Sequence, residues 1–268
     1  MDQNKTGDVG MTCPEIVTKL SLSLTCLKLA AQKLDLPYKE LGDFKDILVI
    51  KTKRQDLYFW LNKSPFNDSM VLQIANDKLL QIQLFKELNI LFPETYYWLP
   101  TKKNLPKSLA EGSWITKPTY GSFSKGVELF HSNSELISYL NEVATHKKLL
   151  IQKYITGTEY RVILHKNKIK LVYPKLGNER FSQISSLETY TPPKITDPNV
   201  IKLFQPIADQ LYQKLNSNFL GADIIVDNKN QPYLIEINAN PVCYFYCEFN
   251  GKEDFIQIYS ELLQEYQN

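Results

Sequence analysis

Gly221-Ala222-Asp223-Ile224-Ile225-Val226 and, past a short polar turn, Leu234-Ile235-Glu236-Ile237-Asn238 are the stretches on which the reading of this chain turns. Both are rich in β-branched residues and flank the turn residues 227–230, so they are expected to be two strands of an antiparallel hairpin, over 219–226 and 233–237. Side chains alternate faces along a strand, which puts Glu236 and Asn238 on one side. The hairpin brings Asp223, thirteen residues before Glu236, beside them. The result is three hard oxygen donors set among isoleucines. A buried carboxylate without a counter-ion is costly, and magnesium takes oxygen ligands while keeping places open for phosphate oxygens. The plain alternative is an edge hairpin with solvated acids.

Working outward, Lys117-Pro118-Thr119-Tyr120-Gly121-Ser122-Phe123-Ser124-Lys125-Gly126-Val127 links a strand over 114–117 to another over 127–130. Glycines let the backbone approach phosphates, and successive N–H groups cradle an anion. This is not a P-loop, because Val127 stands where that motif needs lysine. Its setting suits a flap over a ligand, with a plain hairpin as the alternative. Further on, Gln152-Lys153-Tyr154-Ile155 leaves a strand and is followed by Gly157 and Glu159. An extended segment offers backbone groups to a planar base, and Glu159 suits ribose hydroxyls. A buried strand edge with a salt bridge is the competing reading.

Around these blocks the chain reads as α+β. Residues 14–34 have helical apolar spacing, and 69–88 read as helix with a break near Asn76 and Asp77. Residues 47–50 and 57–61 are short strands. Ser132 and Glu135 form a capping-box pattern opening a helix to about Ala144. Residues 149–155, 159–164 and 169–173 are strand-like. Asp197-Pro198 opens a helix with Ile201, Phe204, Ala208, Leu211 and Leu215 on one face, and 254–266 form the last helix. Residues 177–193 carry few pattern signals and are expected to be a functional loop. The expected division is a tail over 1–12, an α/β lobe over 13–76, a phosphate-loop lobe over 77–155 and a metal-binding lobe over 156–268.

Composition narrows the classes. Of 268 residues, 43% are hydrophobic, which supports a packed core and not a disordered chain. The net charge of +2 makes no electrostatic case for nucleic acid. Residues 20–34 are interrupted by polar side chains and are too polar to span a membrane, and the first dozen residues lack the apolar run of a signal peptide. A cytoplasmic location is expected, with the four cysteines as reduced thiols. Cys243 and Cys247, without a second pair or a nearby histidine, are weak evidence for zinc. His131, His146 and His165 follow no metal spacing and read as surface residues.

Taken together, the three blocks resemble the ATP-grasp superfamily. The resemblance runs from about Asp77 to Pro241 and looks most like the ribosomal-protein glutamate ligases, cyanophycin synthetases and the ATP-grasp part of bifunctional glutathione synthetases, with D-alanine–D-alanine ligases more distant. It implies two α+β lobes gripping ATP after a small N-terminal lobe. It also implies that Lys78 and Lys117 contact the nucleotide phosphates and that Gly121, Ser122, Ser124 and Gly126 belong to the phosphate-covering loop. Gln152, Lys153, Tyr154 and Ile155 would line the adenine edge, with Glu159 on ribose. Asp223, Glu236 and Asn238 would hold one or two magnesium ions, or manganese in their place. Three positions depart from the pattern: Gly221 stands where D-alanine–D-alanine ligases carry an arginine, Val242 stands where a glycine usually follows the final Asn-x-x-Pro, and Gln152 stands where a glutamate is frequent, still offering a hydrogen bond to the adenine edge.

The implied activity is an ATP-dependent carboxylate–amine ligase. Phosphoryl transfer to a carboxylate gives an acyl phosphate, an amine attacks it, and an amide or peptide bond results. Arg161, Lys175 and Arg180 are the basic groups expected to stabilise the transferring phosphoryl group or grip the substrate carboxylate. Partners are a small-molecule, peptide or protein carboxylate and an amine, and a homo-oligomer is compatible with the resemblance. Two rivals stand beside this reading: a small-molecule kinase on the same fold, and a non-catalytic nucleotide-binding protein.

Overall fold

In the computed structural model the described residues are 22–43, 45–101, 105, 109–121, 126–142, 144, 146–175, 192–241 and 244–268, without the side chain of Phe245. Ser122, Ser124 and Arg180 lie outside them. The chain forms two compact units, one from Met1–Ser64 with Val242–Asn268 and the other from Pro65–Pro241.

The first unit begins with α1 (Leu22–Lys33), followed by β1 (Tyr38–Leu41), β2 (Ile47–Lys51) and β3 (Asp56–Trp60). The strands pair antiparallel in the order β1-β2-β3. Leu24, Leu27 and Ala31, at helical spacing, fall on the buried side of α1. β1 was not expected. Its sequence Tyr-Lys-Glu-Leu carries too little apolar alternation to read as a strand, and pairing with β2 supplies what the local sequence lacks.

In the second unit, the helical stretch is divided at Asp77 into α2 (Ser69–Asn76) and α3 (Lys78–Glu87). Asp77 is the cause: its backbone is extended, and its carboxylate accepts from the N–H groups of Leu79 and Leu80, so it ends one helix and caps the next. Next come β4 (Thr95–Trp98), β5 (Trp114–Pro118), β6 (Glu128–Phe130), α4 (Asn133–Glu142) and β7 (Leu149–Lys153). They include an antiparallel sheet of order β4-β7-β5-β6. At the start of α4, Ser132 Oγ accepts from Glu135 N–H at 3.3 Å, and Glu135 reaches back to His131 N–H at 2.9 Å. β4, a short aromatic run after Pro93, was also not anticipated and exists through its register with β7.

The residues 154–156 lead from β7 into β8 (Gly157–His165), β9 (Lys168–Pro174), α5 (Pro198–Leu215), β10 (Phe219–Asp227) and β11 (Pro232–Asn238). These strands make a second antiparallel sheet of order β11-β10-β8-β9. α5 starts at the Asp197 cap and stops at Asn216, whose left-handed backbone (φ 47°) ends it. Its buried stripe, Phe204, Ile207, Ala208, Leu211 and Leu215, packs with Val162, Leu164, Val172, Leu220, Ala222, Ile224, Leu234 and Ile237 in one core. One face of this sheet is therefore apolar. The alternate positions, Glu159, Arg161, Asp223, Glu236 and Asn238, fall on the other.

The chain then returns to the first unit as α6 (Tyr244–Asn250) and α7 (Glu253–Gln264). Phe255, Ile258, Leu262 and Leu263 are buried on α7, which packs on α1. One expectation is corrected. His131 and His146 are exposed, but His165 is buried at the end of β8, where it pairs with Lys168 and Phe219 in the flanking strands. Among the described residues no helix is long and apolar enough to cross a membrane.

Candidate active site

The polar face of the β8–β11 sheet is assembled by register. Asp223 on β10 lies opposite Glu236 on β11 and opposite Arg161 on β8, while Gly221 lies opposite Asn238. The β10–β11 ladder shifts directly after Asp223. That bulge leaves Ile235 out of the one-to-one pairing and keeps Asp223 and Glu236 level.

Asp223 is buried and doubly paired. Arg161 Nη2 donates to Oδ2 at 3.1 Å, Lys175 Nζ donates to the same oxygen at 2.9 Å, and Arg161 Nε sits 2.5 Å from Oδ1 as an ion pair too bent to be a hydrogen bond. Lys175 also donates to Glu159, which faces the same side. Burial pushes the Asp223 carboxyl up, and Arg161 and Lys175 outweigh it, holding the group below the usual carboxylate range. Burial likewise acts to discharge Arg161 and Lys175, and is overcome at both by Asp223, with Glu159 helping at Lys175.

The other sheet contributes Lys117, 5% exposed on β5, whose Nζ donates to Gln152 Oε1 on β7 at 3.0 Å. Gln152 Nε2 in turn donates to Thr95 Oγ1 on β4 at 2.9 Å. Burial pushes the Lys117 ammonium down to about 8; Glu236 opposes that and Lys78 adds to it. Lys117 thus feels Glu236, Lys78, Glu159 and Asp223, so both sheets face one site.

Lys78 bridges the two sides. Its Nζ lies 3.2 Å from Glu236 Oε2 and donates to the Gly121 carbonyl at 2.9 Å, while its backbone N–H donates to Thr119 O at 3.0 Å. Tyr120 Oη donates to Asp77 Oδ2 at 2.6 Å. The pair Asp77–Lys78 therefore pins the start of the glycine loop to the head of α3. Gly121 and Gly126, at its two ends, have φ of 127° and 76°, conformations that glycine adopts without strain.

Some expected residues stand apart. Lys153 points to the opposite face of its sheet, where it lies 4.7 Å from the Trp114 ring centre and donates to the carbonyls of Ala110 and Glu111. Tyr154 and Ile155 lie half-buried in the connector between the two sheets. Other residues were not singled out from sequence. Gln81, 1% exposed, accepts from Ile237 N–H at 2.8 Å and donates to Ile237 O at 3.2 Å, so one side chain holds the backbone between Glu236 and Asn238. Asn67 clamps Phe219 O and Ala239 O at 2.6 and 3.1 Å. The only hint of Gln81 is its spacing of three from Lys78 on one helix.

Two carboxylates and an amide at adjoining strand positions are a donor set suited to a hard divalent cation. Among the described residues no group of three His, Cys, Asp or Glu could hold a metal ion; beside the two carboxylates, Asn238 adds an amide. Asn238 Nδ2 is buried with no hydrogen-bond partner. A buried amide donor of this kind is costly unless something accepts from it, and a phosphate oxygen would. Basic groups outnumber acids around the site, which fits a metal–polyphosphate better than a metal alone.

Residues 75–242 match the ATP-grasp domain. Over 176 residues the chain is 28% identical to D-alanine–D-alanine ligase from Petrotoga mobilis, a match that takes in 62% of this chain and 57% of that enzyme. The chain thus spans little more than half the length of that relative. Among solved structures it superposes on a bifunctional glutathione synthetase from Pasteurella multocida with a TM-score of 0.61 at 14% identity, covering 91% of this chain and 43% of that one. It also superposes on the ATP-grasp ligase PsnB complexed with minimal precursor, Mg and ADP, with a TM-score of 0.57 at 13% identity, covering 76% of this chain and 62% of that one. At such identities the structural likeness speaks to the fold, which is the α+β ATP-grasp fold.

Proposed function

The chain belongs to the ATP-grasp family, and from that premise we propose that it is an ATP-dependent carboxylate–amine ligase that forms an amide or peptide bond through an acyl phosphate. One observation carries the reading: Asp223 and Glu236 lie level on paired strands, ringed by Lys78, Lys117, Arg161 and Lys175. Asp223, Glu236 and Asn238 would hold magnesium. When bound, magnesium neutralises phosphate charge and fixes the geometry of the transferring group.

The chain's own residues do the rest. Lys78 and Lys117 bind the phosphates, and the segment from Gly121 to Gly126 covers them. Gln152 orients Lys117 from below, and the backbone of Lys153, Tyr154 and Ile155 offers an edge to the base. Glu159 serves the ribose while steadying Lys175. Arg161 and Lys175 take up charge on the phosphoryl group as it moves to the substrate carboxylate; Arg180, which lies outside the described residues, is a further candidate for that role. An amine then attacks the acyl carbon, and phosphate leaves. An amino acid or peptide is the proposed substrate class, in keeping with the ligases the chain resembles.

The test is ADP release from the full chain against a panel of amino acids and short peptides, with mass spectrometry of the products. Amine-dependent ADP release and an amide of the summed mass minus water are expected. ADP release with a phosphorylated hydroxyl as product would instead identify a kinase. No ADP release, with nucleotide bound, would leave a binding protein.

A further inference from the structure

The three carboxylates of the polar sheet face are each held by a basic side chain. Asp223 is paired with Arg161 and Lys175, Glu159 with Lys175, and Glu236 with Lys78. Resting on the ligase reading above, we infer that Asp223 is an exchangeable seat: Arg161 and Lys175 occupy its oxygens until a divalent cation takes them, and the cation thereby releases both side chains to the substrate's phosphoryl group.

Asp223 Oδ2 accepts from Arg161 at 3.1 Å and Lys175 at 2.9 Å, and Oδ1 has Arg161 Nε at 2.5 Å. A divalent cation binding there would meet two full positive charges in a buried setting, where like charges repel strongly. Cation and basic groups therefore compete for the same carboxylate. The released groups have somewhere to go. Lys175 follows the end of β9 with 31% of its side chain exposed. The Arg161 guanidinium lies over Gly221, with Nη1 3.3 Å from where a Cβ at that position would stand. The missing side chain gives the planar group a surface to pivot on.

The consequence is an order of events. With Asp223 holding both basic groups, a metal-free phosphate meets an anion site that is already satisfied. With a cation on Asp223, the same site can offer Arg161 outright and Lys175, then held by Glu159 alone. Metal and nucleotide binding are thereby coupled through one carboxylate.

The test uses arginine side-chain NMR, because the chain has three arginines, Arg54, Arg161 and Arg180. The full chain labelled with ¹⁵N-arginine gives three Nε–Hε signals, and Arg161→Lys assigns the one of interest. The expected result is that ADP with EDTA leaves the Arg161 signal in place and Mg-ADP moves it, while calorimetry on the same sample shows Mg-ADP bound. Asp223→Asn, nearly the same shape, should move the signal with no metal at all. An Arg161 signal unmoved by bound Mg-ADP overturns the exchange and leaves the ligase reading standing. If Asp223→Asn fails to fold, the wild-type comparison still decides. A wild-type chain that binds no Mg-ADP defeats the nucleotide site itself, and this inference falls with it.

Discussion

Lys117 and Gln152 face each other across β5 and β7 with Nζ 3.0 Å from Oε1, both side chains buried. Burial lowers the lysine from its ordinary 10.5 to about 8, so its charge is at issue near neutral pH. In the unfolded chain the ammonium keeps its proton to about 10.5, and in the folded chain only to about 8. The folded state therefore carries the full cost of the buried charge below pH 8, and that cost is relieved as pH rises from 8 to 10.5. The stability difference between wild type and Lys117→Met should change across that window, in favour of wild type at high pH, and be flat below it. Mg-ADP affinity should fall as pH rises above 8, toward about tenfold per unit for one proton. Denaturation and calorimetry at stepped pH check both, and an affinity indifferent to pH would remove Lys117 from the phosphate site.

Asp223 and Glu236 should separate in their effects. Removing Asp223 leaves buried Arg161 without its carboxylate partner and Lys175 with Glu159 alone, so Asp223→Ala should cost about 3–5 kcal/mol of stability. Glu236 is 22% exposed at the side chain and pairs with the single Lys78, so Glu236→Ala should cost far less. Both should abolish metal-dependent turnover. Thermal melts with an ADP-release assay measure the contrast, and equal melting temperatures would contradict the pairing described for Asp223.

Gly221 leaves little room for a side chain. A Cβ there would stand 2.8 Å from Pro241 Cβ and 3.3 Å from Arg161 Nη1. The proline ring yields little, so Gly221→Ala should cost about 1–3 kcal/mol by overpacking and displace the guanidinium. The expected kinetic result is a lower kcat with nucleotide affinity nearly kept.

Tyr120 is exposed and bonded to Asp77 at 2.6 Å. Tyr120→Phe should change stability by less than about 1.5 kcal/mol, one ordinary hydrogen bond. Because the lost bond anchors the glycine loop, KM for ATP should rise several-fold while the melting temperature scarcely moves. Unchanged KM would mean that Lys78, through Gly121 and Thr119, holds the loop alone.

Much was legible because local chemistry is strong where the site is. The hairpin of β10 and β11 follows from β-branched runs around a turn, and alternation alone puts Glu236 and Asn238 on one face. The break at Asp77 and the start of α5 at Asp197 are capping events written in a few residues. β1 and β4 escaped because their strand character comes from their partner strands, β2 just after β1 and β7 far along the chain from β4, and not from their own alternation. His165 escaped because burial at a strand end has no local signature.

By itself the sequence determined which residues alternate onto the polar face, where helices begin, and which oxygen and nitrogen donors the chain owns, since periodicity and capping act over a few residues. Only the tertiary structure decided who holds whom: that Asp223 is seated between Arg161 and Lys175, that Lys117 is buried against Gln152, and that Gln81 fixes the backbone at Ile237. Those pairings join residues up to 156 positions apart, and register and burial, which set both distance and dielectric, exist only once the sheets have formed.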